Sequence, residues 1–211
     1  IHERLVGSEM CIRDSFYSSQ SSQQLRYIAN SICQKNISYY KDLDLIDPNI
    51  ENPNMADDTK TIDLLPSLDS KENHFIVLHQ RGTHSPYGLR YQKENTVFKL
   101  TGDYNQDRVN HYDNAVFAFD LFMKKLISKV VNSKKKTLII YASDHGEGLG
   151  QEGVWGHAAL KRPSIEIPIL FYTHNANELN TQIRRMPNNP CLLYTSPSPR
   201  DAHESRMPSS A

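Results

Sequence analysis

Residues 137–150, TLIIYASDHGEGLG, constrain this chain more than any other stretch. Residues 138–142 form an apolar, β-branched run with the length of a strand covered on both faces, as in parallel sheets. Asp144 and His145 then fall just past the strand's carboxyl end, where open α/β sheets place their chemistry. A carboxylate and an imidazole side by side on a sharp turn can both reach one cation, and that mix of O and N donors suits zinc. Gly146, Gly148 and Gly150 are expected to permit the turn and to leave room beside a metal.

The two ends of the chain carry a different signature. One strand of a single DNA segment can encode residues 1–14, and its reverse complement, one frame over, encodes residues 191–204. Unrelated termini should not fit one inverted repeat over so many codons, and the DNA resembles a transposase-type sequencing-library adapter. Residues 1–15 and 191–211 are therefore expected to be adapter-derived and non-native, and are set aside for fold reasoning. Residues 16–190 remain as one partial catalytic domain, expected to begin and end within a longer gene.

Of the three cysteines, Cys11 and Cys191 go with those ends, and Cys33 by itself cannot form an internal disulfide. Lys plus Arg and Asp plus Glu both number 24, so there is no basic excess to favour nucleic acid as a partner. No apolar run approaches the roughly 18–20 residues that cross a bilayer.

Residues 16–20 read as the end of a strand. Residues 23–34 read as a helix, with Leu25, Ile28, Ala29 and Ile32 on one face. Residues 36–60, rich in Asp and Asn, read as an irregular connection, and 61–68 as a short helix. Residues 74–80 form a second apolar strand that breaks into the RGTHSPYG loop. Residues 107–131 give the longest helical pattern, with Val109, Tyr112, Val116, Phe119, Phe122, Met123 and Leu126 expected inside. Residues 167–172, IPILFY, form a third strand. Strands alternating with helices imply an α/β domain with a largely parallel sheet.

Each of three loops offers a histidine: His84 after the second strand, His145 beside Asp144, and His157 ahead of IPILFY. Parallel strands gather their carboxyl-end loops, so His84 and the Asp144–His145 pair are expected to share a cleft able to hold a divalent cation and an anionic substrate. His79 reads as a hydrogen-bonded structural histidine and His111 as a packing residue. Asp113 and Asn114 read as ties between the long helix and a neighbour. Glu147 reads either as a carboxylate that orients a ligand histidine or as a solvated turn residue.

Taken in order, LHQRGTHSPY, HYDNAVFAFD, IIYASDHGEGLG and GVWGHAALKRPSIEIPILFY resemble the sulfatase-like branch of the alkaline phosphatase superfamily, and among its members the phosphoethanolamine transferases. The resemblance runs from about residue 16 to 173. It implies a three-layer α/β sandwich with a largely parallel sheet, here an incomplete fragment. It implies that Asp144 and His145 bind the catalytic zinc (one ion or two) and that His84 and His157 face the phosphate group or a second zinc. It further implies transfer of phosphoethanolamine from a phospholipid to a lipopolysaccharide or other glycan or lipid acceptor. A threonine nucleophile would perform this transfer, and the parent protein would sit in the bacterial inner membrane with a periplasmic catalytic domain. Ser85 and Trp155–Gly156 depart from the family pattern, and the single Cys33 departs from the disulfide-stitched members. No threonine occurs in residues 16–58, so no catalytic nucleophile is assigned in this chain. The competing readings are another superfamily hydrolase or phosphotransferase (sulfatase, phosphodiesterase or glycerol-phosphate transferase) and a catalytically dead sulfatase-like binding module.

Overall fold

The structure is a computed structural model that describes residues 12–21 and 39–185. The helix expected over 23–34 lies outside the described residues. The chain divides into two compact units, residues 1–137 and 138–211.

The first unit is built on a parallel three-stranded sheet in the order β2-β1-β3. Its central strand β1 (Ile12–Ser18) pairs with β3 (Asn73–His79) along its whole length and with β2 (Tyr39–Lys41) over three residues. β1 starts at Ile12, inside the terminal segment read as adapter-derived, which is possible because a ladder is made by backbone groups whatever the side chains. β2 was not foreseen: the segment around it is polar, and three residues at a sheet edge carry no readable alternation. Phe16 and Tyr17 are buried, and Phe16 stacks on Tyr40 at 5.7 Å between ring centroids and on His79 at 6.0 Å. His79 Nδ1 also meets Ser18 Oγ at 3.1 Å, so this histidine locks two strand ends together.

Short helices α1 (Leu43–Ile46) and α2 (Lys60–Asp63) follow β2, α1 capped by the Asp42 carboxylate, which accepts from the Leu45 N–H. The 28-residue helix α3 (Tyr104–Val131) begins at an Asp103 cap whose Oδ1 accepts from the Gln106 N–H at 2.8 Å. Of its buried positions, Asn110, Asn114, Phe122, Leu126 and Val130 recur at multiples of four residues, with Ala115 beside them, whereas Val116, expected inside, is exposed. The stripe is turned because two of its members are polar anchors. Asn114 is fully buried; its Oδ1 accepts from the Val97 and Phe98 N–H groups at 2.8 and 2.9 Å, and its Nδ2 donates to Phe98 O at 2.8 Å. Asn110 Nδ2 donates to Lys99 O at 2.8 Å. Asp107 accepts from the N–H and hydroxyl of Thr101 and from the Gly102 N–H. Three side chains, one helical turn apart, thus sew residues 97–102 onto α3.

In the second unit β4 (Thr137–Ala142) pairs with β7 (Ile169–His174), and the two-residue strands β5 (Gly148–Leu149) and β6 (Trp155–Gly156) form an antiparallel ladder. Helices α4 (Arg162–Ile165) and α5 (Asn177–Arg184) flank β7 in sequence. The expectation that β4 is covered on both faces is not met: Leu138 and Ile140 are exposed while the residues between them are half-buried. Exposed and half-buried residues alternate along β4, and in β7 Leu170 and Phe171 are both exposed. The α/β class and the parallel sheet are as expected, and no helix among the described residues is long and apolar enough to cross a membrane.

Asn114→Leu should destabilise the chain by about 2 kcal/mol in urea unfolding, because it takes the partner from the Val97 and Phe98 N–H groups and the Phe98 carbonyl. Asp103→Ala should cost about 1 kcal/mol, the usual loss for an N-cap. The Thr101 N–H, with the Thr101 hydroxyl and Gly102 N–H, holds the Asp107 carboxyl below its ordinary value. Its contribution is therefore present above that ordinary value and lost as pH falls through the folded value. Wild type and Asp107→Asn should converge in melting temperature on acidification over that range.

Candidate metal centre

The turn after β4 is closed by its own residues. Ser143 Oγ donates to the His145 carbonyl at 2.7 Å, and the Gly146 N–H donates to Ser164 O at 2.9 Å. A Cβ at Gly146 would come within 2.3 Å of Pro163 O and 2.5 Å of Glu166 O, so this glycine is required by a backbone-to-backbone approach to α4. Gly150 is needed for a different reason, its φ of +98°. Gly150 thus serves the turn expected from sequence, and Gly146 serves the contact with α4.

From Gly146 the chain enters the β5–β6 ladder, in which Gly148 lies opposite Gly156 and Leu149 opposite Trp155. Glu147 immediately precedes β5 and His157 immediately follows β6. The ladder therefore fixes them as neighbours across ten residues of sequence. His157 Nδ1 and Glu147 Oε2 are 2.9 Å apart. An ionised carboxylate only accepts, so Nδ1 carries the proton and Nε2 keeps its lone pair. His145 Nδ1 makes the equivalent bond to a carbonyl, Gly146 O at 2.8 Å, which again reserves Nε2. The two imidazoles stack at 4.0 Å between centroids with 29° between planes. Asp144 Oδ1 lies 3.9 Å from His145 Nε2, and the Asp144 side chain is 91% exposed.

Ligand atoms of His145, Glu147 and His157 all lie within 4.8 Å of one another. Donors of a tetrahedral zinc at about 2.0–2.1 Å are about 3.3 Å apart. The Asp144–His145 pair, at 3.9 Å, is somewhat wider than that. Two imidazole nitrogens with their other N–H groups held, and one or two carboxylates, form an N/O set of the kind zinc takes. A zinc ion fits these residues.

Of the residues singled out from sequence, Asp144, His145 and His157 gather here together with Glu147. His84 belongs to the first unit. It is exposed on the loop after β3, its Nδ1 donates to Ser85 O at 2.5 Å, and its carbonyl accepts from Arg90 Nε at 2.8 Å. His111 meets the Tyr91 hydroxyl at 2.8 Å and His74 the Ser70 hydroxyl at 2.7 Å, so both have structural partners. Sequence reasoning left Glu147 between two readings; the antiparallel pairing of two glycine-containing dipeptides was the available signal for its partner.

These features define an α/β protein with a histidine–carboxylate cluster able to hold a metal ion on the loops that follow β4. A sulfatase family profile matches residues 11–189, and the chain belongs to the sulfatase family. It is 32% identical to the phosphoethanolamine transferase EptA of Helicobacter pylori over 80% of this chain and 38% of that protein. It is 30% identical to the phosphatidylethanolamine transferase Mcr-1 of Escherichia coli over 58% of this chain and 26% of that protein. The chain thus spans well under half the length of these relatives. Its fold matches the crystal structure of the C-terminal periplasmic domain of EptC from E. coli, a zinc complex, with a TM-score of 0.58 and 18% identity over 85% of this chain and 52% of that one.

Competition with a chromophoric chelator should register zinc binding by the chain that His145→Ala abolishes. Glu147→Gln should weaken it about 10- to 100-fold, the usual penalty for removing a carboxylate that orients or completes a ligand set. Unchanged affinity in His145→Ala would place the ion elsewhere.

Proposed function

We propose that this chain is part of the catalytic domain of a zinc-dependent phosphoethanolamine transferase. Such an enzyme moves phosphoethanolamine from a phospholipid to a lipopolysaccharide or other glycan or lipid acceptor. The observation that carries the reading is the His145, Glu147 and His157 group beside Asp144 in a chain whose curated relatives are phosphoethanolamine transferases. The relatives' names support the donor group; the acceptor class is inferred from the same resemblance.

Asp144, His145 and His157 would hold the zinc, one ion or two, with Glu147 orienting His157. When bound, zinc lowers the pKa of a nucleophile and neutralises charge on a transferring phosphoryl group. The chain's own residues prepare for this. Glu147 fixes the tautomer of His157, and the Gly146 carbonyl fixes that of His145, so both rings present Nε2. Asp144, the most exposed member, can meet a ligand arriving from solvent. His84 is proposed to contact the phosphate of the donor. The nucleophile is assigned to a threonine of the parent enzyme outside this chain, and the parent is proposed to lie in the bacterial inner membrane with this domain in the periplasm.

The chain by itself should bind zinc weakly and turn nothing over. The complete gene product, read outward from the codon for Phe16, should encode membrane-spanning segments and a threonine at a strand-to-helix turn. With zinc it should release diacylglycerol from a fluorescent phosphatidylethanolamine. Asp144→Asn should slow that release about a hundredfold or more, the scale for losing a preorganised electrostatic contact in the transition state. Hydrolysis of p-nitrophenyl sulfate in place of headgroup transfer would sink the transferase reading in favour of a sulfatase.

A further inference from the structure

The first unit contains a second chemically distinct site, a cavity of about 300 Å³ between the segment 55–59, the loop 81–92 and α3. That volume lies at the small end of the range for small-molecule pockets and is roughly ten times the share of one water. Its lining combines apolar side chains, among them Met55, Leu89, Ala118, Phe119 and Phe122, with Arg81 and Arg90.

The two guanidiniums are poorly matched by what surrounds them. Arg81 Nη2 donates to Asn54 Oδ1 at 2.7 Å; Arg90 Nη1 donates to Asn54 O at 2.5 Å and Arg90 Nε to His84 O at 2.8 Å. Arg81 Nε and Nη1 and Arg90 Nη2 are enclosed and have no hydrogen-bond partner among the described residues. Asp58 is the carboxylate that faces both arginines, and its oxygens are already occupied. They accept from the Arg81 N–H at 3.1 Å, the Gly82 N–H at 2.9 Å and the Ser19 hydroxyl. Lys125, also on the cavity wall, is paired with Asp63 at 2.8 Å, and Asp57 Oδ1 caps the Thr59 N–H at 2.8 Å. Burial, and then the neighbouring Arg81 charge, bring Arg90 down to about 10 against the pull of Asp58. Burial likewise lowers Arg81. Enclosed charge-assisted donors left unpaired are rare and costly in native proteins, and a guanidinium fork is shaped for oxyanions.

We propose that this cavity binds a phosphate, free or as a monoester, held by Arg81 and Arg90 with any organic substituent against the Phe119–Phe122 wall. The five N–H bonds on these three nitrogens exceed the roughly four lone-pair sites of a carboxylate and suit a group with at least three acceptor oxygens. The residues that line it all belong to the first unit. Because Arg90 also holds the His84 carbonyl, occupancy would stiffen the loop that carries His84.

The test is calorimetric titration of the full chain with inorganic phosphate. Wild type should bind saturably, and Arg81→Gln should lose at least about tenfold in affinity, the loss expected for one charge-assisted contact. Should Arg81→Gln fail to fold, Ala118→Phe fills the cavity without touching a charge and should abolish binding. His145→Ala should bind phosphate as wild type does. Competition by dihexanoyl phosphatidic acid would support the proposal with a lipid phosphate as the source, and its failure to compete would support it with the free anion. No saturable binding by wild type, wild-type affinity in Ala118→Phe, or loss of binding in His145→Ala would overturn it.

Discussion

The hydrogen bond between His157 and Glu147 depends on a ladder only two residues long. Gly148 pairs with Gly156, so the residue before one and the residue after the other have to meet. That single register converts two loop residues into an oriented pair and sets the imidazole of His157 against that of His145. A slip of one residue would turn every side chain of the pair to the other face. The close approach of Gly146 to the carbonyls of α4 holds the other end of the same turn. The centre is thus positioned by backbone contacts through glycine, and its chemistry is supplied by the side chains between them.

In the first unit the comparable constraint is polar. Asn110, Asn114 and Asp107 give up part of the apolar face of α3 to satisfy the backbone of residues 97–102. Arg90 and Arg81 tie the loop carrying His84 to Asn54 in the same manner. Long connections in this protein are therefore held by side chains that pair with main-chain groups of the loops. Such anchors are exacting: each is stabilising only while every donor and acceptor is matched. The arginine junction stands out because, among the described residues, its donors exceed its acceptors.

Much of the fold was legible because strand and helix signals are local. β3, β4 and β7 appear within two residues of where apolar runs bounded by turn residues predict them, and α3 extends three residues before its expected start, to its Asp103 cap. β2 was missed because a three-residue edge strand has no period to read, and α5 was not anticipated at all. The burial of α3 was misjudged at Val116, which a hydrophobicity pattern places inside, whereas Asn114, read as a tie to a neighbour, is one. At the site, Asp144, His145 and His157 were named from residue type and placement. The partner of His157 was not.

The amino-acid sequence by itself determined the class of fold, the family, and which residues carry ligand atoms, because each rests on local composition or on motifs a few residues long. The tertiary structure decided which of those atoms meet. Glu147 and His157 come together through a strand pairing, and Arg81 and Arg90 around Asn54 and Asp58, residues far from them in the chain. Hydrogen bonding and charge act over a few ångströms of space, whereas distance along the chain sets neither separation nor orientation, so partnership is a property of the folded molecule.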